Sequence, residues 1–178
     1  MQSNLSCLLV VDIQQRLVPA IDAVEPLLRN ADILCRAARR LQVPLLASEQ
    51  YPRGLGHTVP QLAELLQPAE VLEKTEFSCA RNSALMQRLT ELDRKQVIVV
   101  GMEAHVCVLQ TVLGLLDQGL NLFVVSDAVG SRQPESKARA LDRAARAGAS
   151  VVTTEMVVFE WLEHSGSDAF RELSRLIR

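Results

Sequence analysis

The chain has 178 residues, of which 48% are hydrophobic and 22% charged, with a formal charge of −2 at pH 7. That length suits one domain with a sizeable core, so residues 1–178 are expected to form a single unit. The charge balance excludes a general attraction to nucleic acid or an anionic membrane. No apolar run approaches the ~20 residues that span a bilayer, and the start lacks the marks of a signal peptide, so the expected location is the cytoplasm.

Short β-rich runs alternate with longer stretches of helical period. A buried strand over residues 5–11 ends at Asp12. A helix follows in which Leu27, Ala31, Leu34, Ala38 and Leu41 form one apolar stripe, with Pro26 in its first turn. The second strand covers 43–47. The Pro- and Gly-bearing stretch 49–60 is long enough to be an active-site loop. A short helix near 61–66 leads to a strand at 71–73. Asn82 can cap a helix carrying Leu85, Leu89 and Leu92 on one side. The clearest strand is 96–100, stopped by Gly101. The helix over 105–117 is apolar on nearly every side, as expected of one central in the domain or covered by a second copy, which points to a homo-oligomer. A strand at 120–125, a helix at 134–147 closed by Gly148, a short strand at 150–152 and helices near 155–163 and 168–176 complete the chain.

This alternation predicts an α/β fold, a parallel sheet with helices on both faces. Ligands in such sheets bind beyond the carboxyl ends of the strands, where the strand order reverses. Asp12, the 49–56 loop, residues 74–78, residues 101–107 and residues 126–130 all fall at strand ends of that kind.

Three side chains there carry chemistry. Cys107 lies just past a strand, a glycine and a short turn, at the opening of a helix. Helix N–H groups and the positive dipole end would lower its pKa and hold an oxyanion beside it. A buried structural cysteine would fit the same place. Asp12 ends an apolar strand, where it either joins the chemistry or caps the next turn. Lys74 ends another strand, where a lysine is ordinarily solvated. Together they make an acid–base–nucleophile set that needs no histidine. The other cysteines, Cys7, Cys35 and Cys79, are scattered with no metal-ligand spacing, and only Cys79 lies near the Lys74 loop.

Three stretches resemble the isochorismatase-like hydrolase family: Leu9-Val10-Val11-Asp12-Ile13-Gln14, Glu73-Lys74-Thr75-Glu76-Phe77-Ser78, and Gly101-Met102-Glu103-Ala104-His105-Val106-Cys107-Val108. The order and spacing of Asp, Lys and Cys match across nearly the whole chain. The resemblance implies a three-layer α/β/α sandwich around a six-stranded parallel sheet of Rossmann-like topology. It also implies a catalytic Asp12, Lys74 and Cys107 triad and a cis peptide at Met102–Glu103. Backbone N–H groups of Glu103 and Cys107 would form the oxyanion hole. Metal-dependent nicotinamidases of the family carry an Asp-x-His pair where this chain has Glu49-Gln50-Tyr51, and His57 stands alone on a glycine-flanked loop. The expectation is therefore no metal and no cofactor. Isochorismatases proper cleave a vinyl ether without the cysteine, so its presence points to another reaction. The Glu-Gln-Tyr-Pro-x-Gly-Leu-Gly loop resembles the branch called isochorismatase domain-containing.

The expected activity is acyl transfer from a small carboxamide or related C–N substrate through a thioester on Cys107. Gln14, Tyr51, Phe77 and His105 are the candidate substrate contacts. Gln14 could equally end its strand, Phe77 serve the core, and His105 point elsewhere. The rival readings are a non-catalytic binding protein that keeps the fold, and a redox-sensing thiol protein with Cys79 as partner to Cys107.

Overall fold

The computed structural model describes residues 1–177; Arg178, the last residue of the expected domain, lies outside the described residues. Six strands form one wholly parallel sheet in the order β3-β2-β1-β4-β5-β6. In chain order the elements are β1 (Ser6–Val11), α1 (Val24–Arg40), β2 (Leu45–Gln50), the single turns α2 (Pro52–Leu55) and α3 (Pro60–Ala63), β3 (Val71–Lys74) and α4 (Ser83–Leu92). Next come β4 (Gln96–Met102), a π-helical turn (Ala104–Val108), α5 (Leu109–Leu116), β5 (Asn121–Gly130), α6 (Pro134–Arg146), β6 (Ser150–Val152), α7 (Thr154–Leu162) and α8 (Asp168–Leu173).

The central strands are apolar at consecutive positions because both their faces are covered. Successive side chains point to opposite faces. Leu8 and Val10 of β1 and Ile98 and Val100 of β4 therefore enter one core, with Leu27, Ala31 and Leu34 of α1 and Trp161 of α7. Cys7, Leu9, Val97 and Val99 enter the other, with Leu85 of α4, Val112 and Leu115 of α5 and Ala140 of α6. The helices thus form two outer layers around the sheet, the three-layer sandwich expected from the sequence. Cys7 and Cys35 are core filler: burial pushes both thiols up to about 12.

The strand order reverses between β1 and β4, and this is where the chain from β1 departs toward one edge and the chain from β4 toward the other. The two strands approach closely there. Gly101 of β4 is paired with Val11 and has φ +152°, and a Cβ on it would lie 2.3 Å from the Val11 carbonyl oxygen.

Several boundaries differ from the sequence reading: β2 runs 45–50 where 43–47 was expected, and β4 passes through Gly101 to Met102 where a stop at Gly101 was expected. Residues 126–130, expected beyond the end of strand five, belong to β5, whose pairing with β4 slips between Val99 and Gly101. The extra residues brace the helices: Asn30 of α1 donates to the Asp127 carbonyl (2.8 Å), and the Asp127 carboxylate takes the N–H and hydroxyl of Thr154 (both 2.9 Å) at the start of α7.

Gly101→Ala is expected to destabilise the protein by more than about 2 kcal/mol, since it meets both a forbidden φ and a backbone clash. A urea unfolding midpoint within about 0.5 kcal/mol of wild type would contradict the close β1–β4 approach.

Candidate active site

Beyond the reversal point the chain brings together three side chains remote in sequence. β1 ends at Asp12, which takes a left-handed φ of 52° and is wholly buried. Its N–H donates to the Ser48 carbonyl of β2 (3.1 Å), which keeps the turn in register with the sheet. Each carboxylate oxygen has its own donor: Ser48 Oγ gives to Oδ1 at 2.6 Å, and Lys74 Nζ gives to Oδ2 at 2.7 Å. Lys74 comes from the end of β3 and reaches across β2. Its side chain and that of Asp12 are 0% and 1% exposed. Nζ also donates to Gln50 Oε1 (2.7 Å) and to the Phe77 carbonyl (3.3 Å), so all three ammonium protons are engaged. A buried ion pair persists only when its remaining hydrogen-bonding capacity is met in this way.

Cys107 is 6% exposed and sits in the π-helical turn that leads into α5. Burial pushes its thiol well above the ordinary range; the negative charge of Asp12 and its role as acceptor push the same way, against the opposing charge of Lys74. The low thiol pKa expected from a helix opening is opposed here by desolvation and a neighbouring carboxylate, which both act upward. At neutral pH the sulfur keeps its proton and faces a carboxylate able to take it.

The turn before Cys107 also differs from expectation. The Met102–Glu103 peptide is trans, as is every peptide bond among the described residues. The chain reverses through Glu103 itself, at φ 54°, without the ~3–4 kcal/mol that a non-proline cis bond costs. The Glu103 carbonyl accepts from Val106 N–H (2.9 Å) and Val108 N–H (3.4 Å). Its carboxylate lies 2.5 Å from Arg132 Nε and 3.4 Å from His105 Nδ1, and the same His105 nitrogen is 3.0 Å from Ser131 Oγ. His105 is thus turned toward β5 and the loop after it.

The other candidate contacts fall in different places. Gln14 is fully buried, and its amide is spent on the backbone. Nε2 donates to the Gln50 and Gly56 carbonyls (3.1 and 2.5 Å), and Oε1 accepts from Gln50 N–H (2.8 Å). It fastens the 50–56 loop, with both amide protons given to backbone carbonyls. Tyr51 and Phe77 are both 56% exposed. Tyr51 lines a cleft of about 370 Å³ with Arg53, Glu73, Lys74, Thr75 and Glu76. His57 is exposed, with Nδ1 2.9 Å from Glu49, whose other oxygen takes the N–H and hydroxyl of Thr58. Glu49 draws the histidine's pKa upward. Among the described residues, no three His, Cys, Asp or Glu side chains are grouped to hold a metal.

Ser48, Gln50 and Arg132 were not singled out by the sequence. For Ser48 and Gln50 the available signal was a polar residue continuing the period of an apolar strand past residue 47; Arg132 carried none.

The isochorismatase domain model matches residues 6–156. Isochorismatase domain-containing protein 2 of Macaca fascicularis is 39% identical over 175 residues, covering 97% of this chain and 83% of its own. Among solved structures, MAR1 ribonuclease of Caenorhabditis elegans superposes with a TM-score of 0.93 at 38% identity, over 99% of this chain and 91% of that one. The YcaC gene product of Escherichia coli, described as an octameric hydrolase of unknown specificity, gives a TM-score of 0.94 at 24% identity, over 99% and 88% of the two chains.

Replacing Lys74 by Met would leave the Asp12 carboxylate buried without its cation, at a cost of about 3–5 kcal/mol. Urea denaturation checks this, with the Asp12→Asn/Lys74→Met double variant expected to recover part of the loss. A cost below about 1 kcal/mol for Lys74→Met would contradict the buried pair.

Proposed function

The chain belongs to the isochorismatase family, and we propose that it acts there as a cysteine hydrolase on small carboxamides or related C–N bonds. The observation that carries this reading is the shared burial of Cys107, Asp12 and Lys74 at the sheet's reversal point, with both oxygens of Asp12 already held by donors.

The chemistry follows from the resting state. The protonated Cys107 thiol approaches the substrate carbonyl carbon while Asp12 accepts its proton, so base and nucleophile act together. A C–S bond forms and the carbonyl π pair moves to oxygen. The backbone N–H groups of Glu103 and Cys107 are assigned to hold that oxyanion. Its collapse breaks the C–N bond, and Asp12 passes the proton to the leaving amine. A thioester remains on Cys107. Water then attacks it, giving a proton to Asp12, and the acid and the thiol are released. Lys74, with all three protons engaged, offsets charge through both halves and never donates to substrate. Tyr51, Phe77 and His105 remain the residues assigned to substrate contact; Gln14 serves the loop.

Two other readings fare less well. A peroxide-sensing thiol works best exposed and ionised, whereas this one is buried and pushed toward its neutral form. RNA cleavage, suggested by the name of the nematode protein, calls for a phosphate-binding surface, and a formal charge of −2 offers no general one. A homo-oligomer remains our expectation. Val106, Leu113 and Leu116 are only partly buried in the described chain, and the bacterial neighbour is octameric.

A panel of small amides, with single-stranded RNA as a separate arm, tests the proposal. Turnover of an amide is expected, falling by on the order of 10³-fold or more in Cys107→Ala. Retained turnover in that variant, or cleavage of RNA alone, would overturn the reading.

A further inference from the structure

Asp12 is held by one residue at two points. The Ser48 carbonyl takes the Asp12 N–H at 3.1 Å, and the Ser48 hydroxyl donates to Asp12 Oδ1 at 2.6 Å. Ser48 is 1% exposed, so its side of the carboxylate is shielded from bulk water. Its hydroxyl has a single proton, and that proton is given to Asp12.

Behind Ser48 stands Cys79, wholly buried. Three contacts press its segment onto the helix stripe that begins at Cys107. Cys79 N–H donates to Thr111 Oγ1 (2.9 Å), Ser78 Oγ donates to the Gln110 carbonyl (3.0 Å), and a Cβ on Gly114 would sit 2.7 Å from Ala80 Cβ. Thr111 is four residues beyond Cys107, on the same helical face. The hydroxyls of Ser48 and Thr111 both lie near the Cys79 sulfur. The back wall of the site is therefore a packed row of small polar groups, and within it Ser48 alone donates to Asp12.

We propose that Ser48 is a positioning residue that shares the Asp12 carboxylate with Cys107 and so decides how tightly the thiol proton is held. This rests on the reading of Asp12 as the base for Cys107. A hydroxyl donating to a carboxylate draws negative charge away from it and lessens its pull on any other proton. Without that donor the same carboxylate leans more heavily on the thiol. Cys79, by filling the space behind Ser48, keeps the hydroxyl from turning away.

The sign of the effect separates this role from a merely structural one. Loosening the wall would expose Cys107 and speed its reaction with a small electrophile; losing the donor would slow it. The test is the pH–rate profile of iodoacetamide labelling of the Cys107 peptide, followed by mass spectrometry, in the full chain. Its hydroxide-dependent limb reads how tightly the thiol proton is held, apart from any pH-independent attack that Asp12 assists as base. Wild type, Ser48→Ala, Ser48→Thr and Asp12→Asn are compared, with urea midpoints recorded for each. Asn keeps an acceptor for Lys74 and removes the charge, so Asp12→Asn should raise that limb at least about tenfold. Ser48→Ala should lower it about threefold or more, and Ser48→Thr, which restores a hydroxyl, should return toward wild type. A raised or unchanged limb in Ser48→Ala, or a Ser48→Thr limb equal to that of Ser48→Ala, beside a raised one in Asp12→Asn, would overturn the role of Ser48 and leave the base intact. A limb no higher than wild type in Asp12→Asn would instead overturn the Asp12–Cys107 coupling, and with it the proposed function.

Discussion

The ion pair between Asp12 and Lys74 is the constraint around which this end of the molecule is built. Two opposite charges sit in a space closed to water, and neither can be there without the other and a full set of hydrogen bonds. Ser48 supplies the second donor to Asp12; Gln50 and the Phe77 carbonyl take the remaining protons of Lys74. These partners come from β1, β2, β3 and the segment after β3. The pair thereby ties three strand ends and one loop into a fixed frame, and Gln14 fastens the next loop to it through the backbone of Gln50 and Gly56.

The frame has a chemical consequence. A cysteine beside a buried carboxylate, itself buried, is most stable as a thiol. The sulfur is then guarded against electrophiles and oxidants at rest, and becomes a nucleophile only when a carbonyl is placed to receive it as Asp12 takes the proton. Such a site depends less on a standing thiolate than on the geometry between base, nucleophile and substrate. That is why the residues that aim Asp12 matter as much as those that touch the ligand.

The sheet was legible because its central strands are apolar on both faces, and the stripes on the intervening helices have a distinct period. The approximate place of the site was legible too, since strand ends at a reversal of order are where such folds bind ligands. What escaped the sequence was tertiary. The helix opening beside Cys107 argued for a low thiol pKa, but the surrounding core and Asp12 decide the sign, and neither burial nor that distance can be read from spacing. Gln14 stood two residues from Asp12 and looked available, yet a loop more than thirty residues on consumes its amide. Residues 126–130 carry turn-like Ser, Asp and Gly, but the strand runs on through them because α1, β6 and α7 take up their polar groups. The expected cis bond gave way to a left-handed Glu103.

The account turns on Cys107 resting as a thiol whose proton is held in the field of Asp12. The direct measurement is an ultraviolet pH titration of thiolate absorbance, taken as the difference between wild type and Cys107→Ala so that the other three cysteines cancel. The account predicts no Cys107 thiolate signal through about pH 9, above the ordinary free-thiol pKa of ~8.5, because burial and Asp12 both oppose ionisation. A thiolate that appears with a midpoint at or below about 8.5 would contradict it.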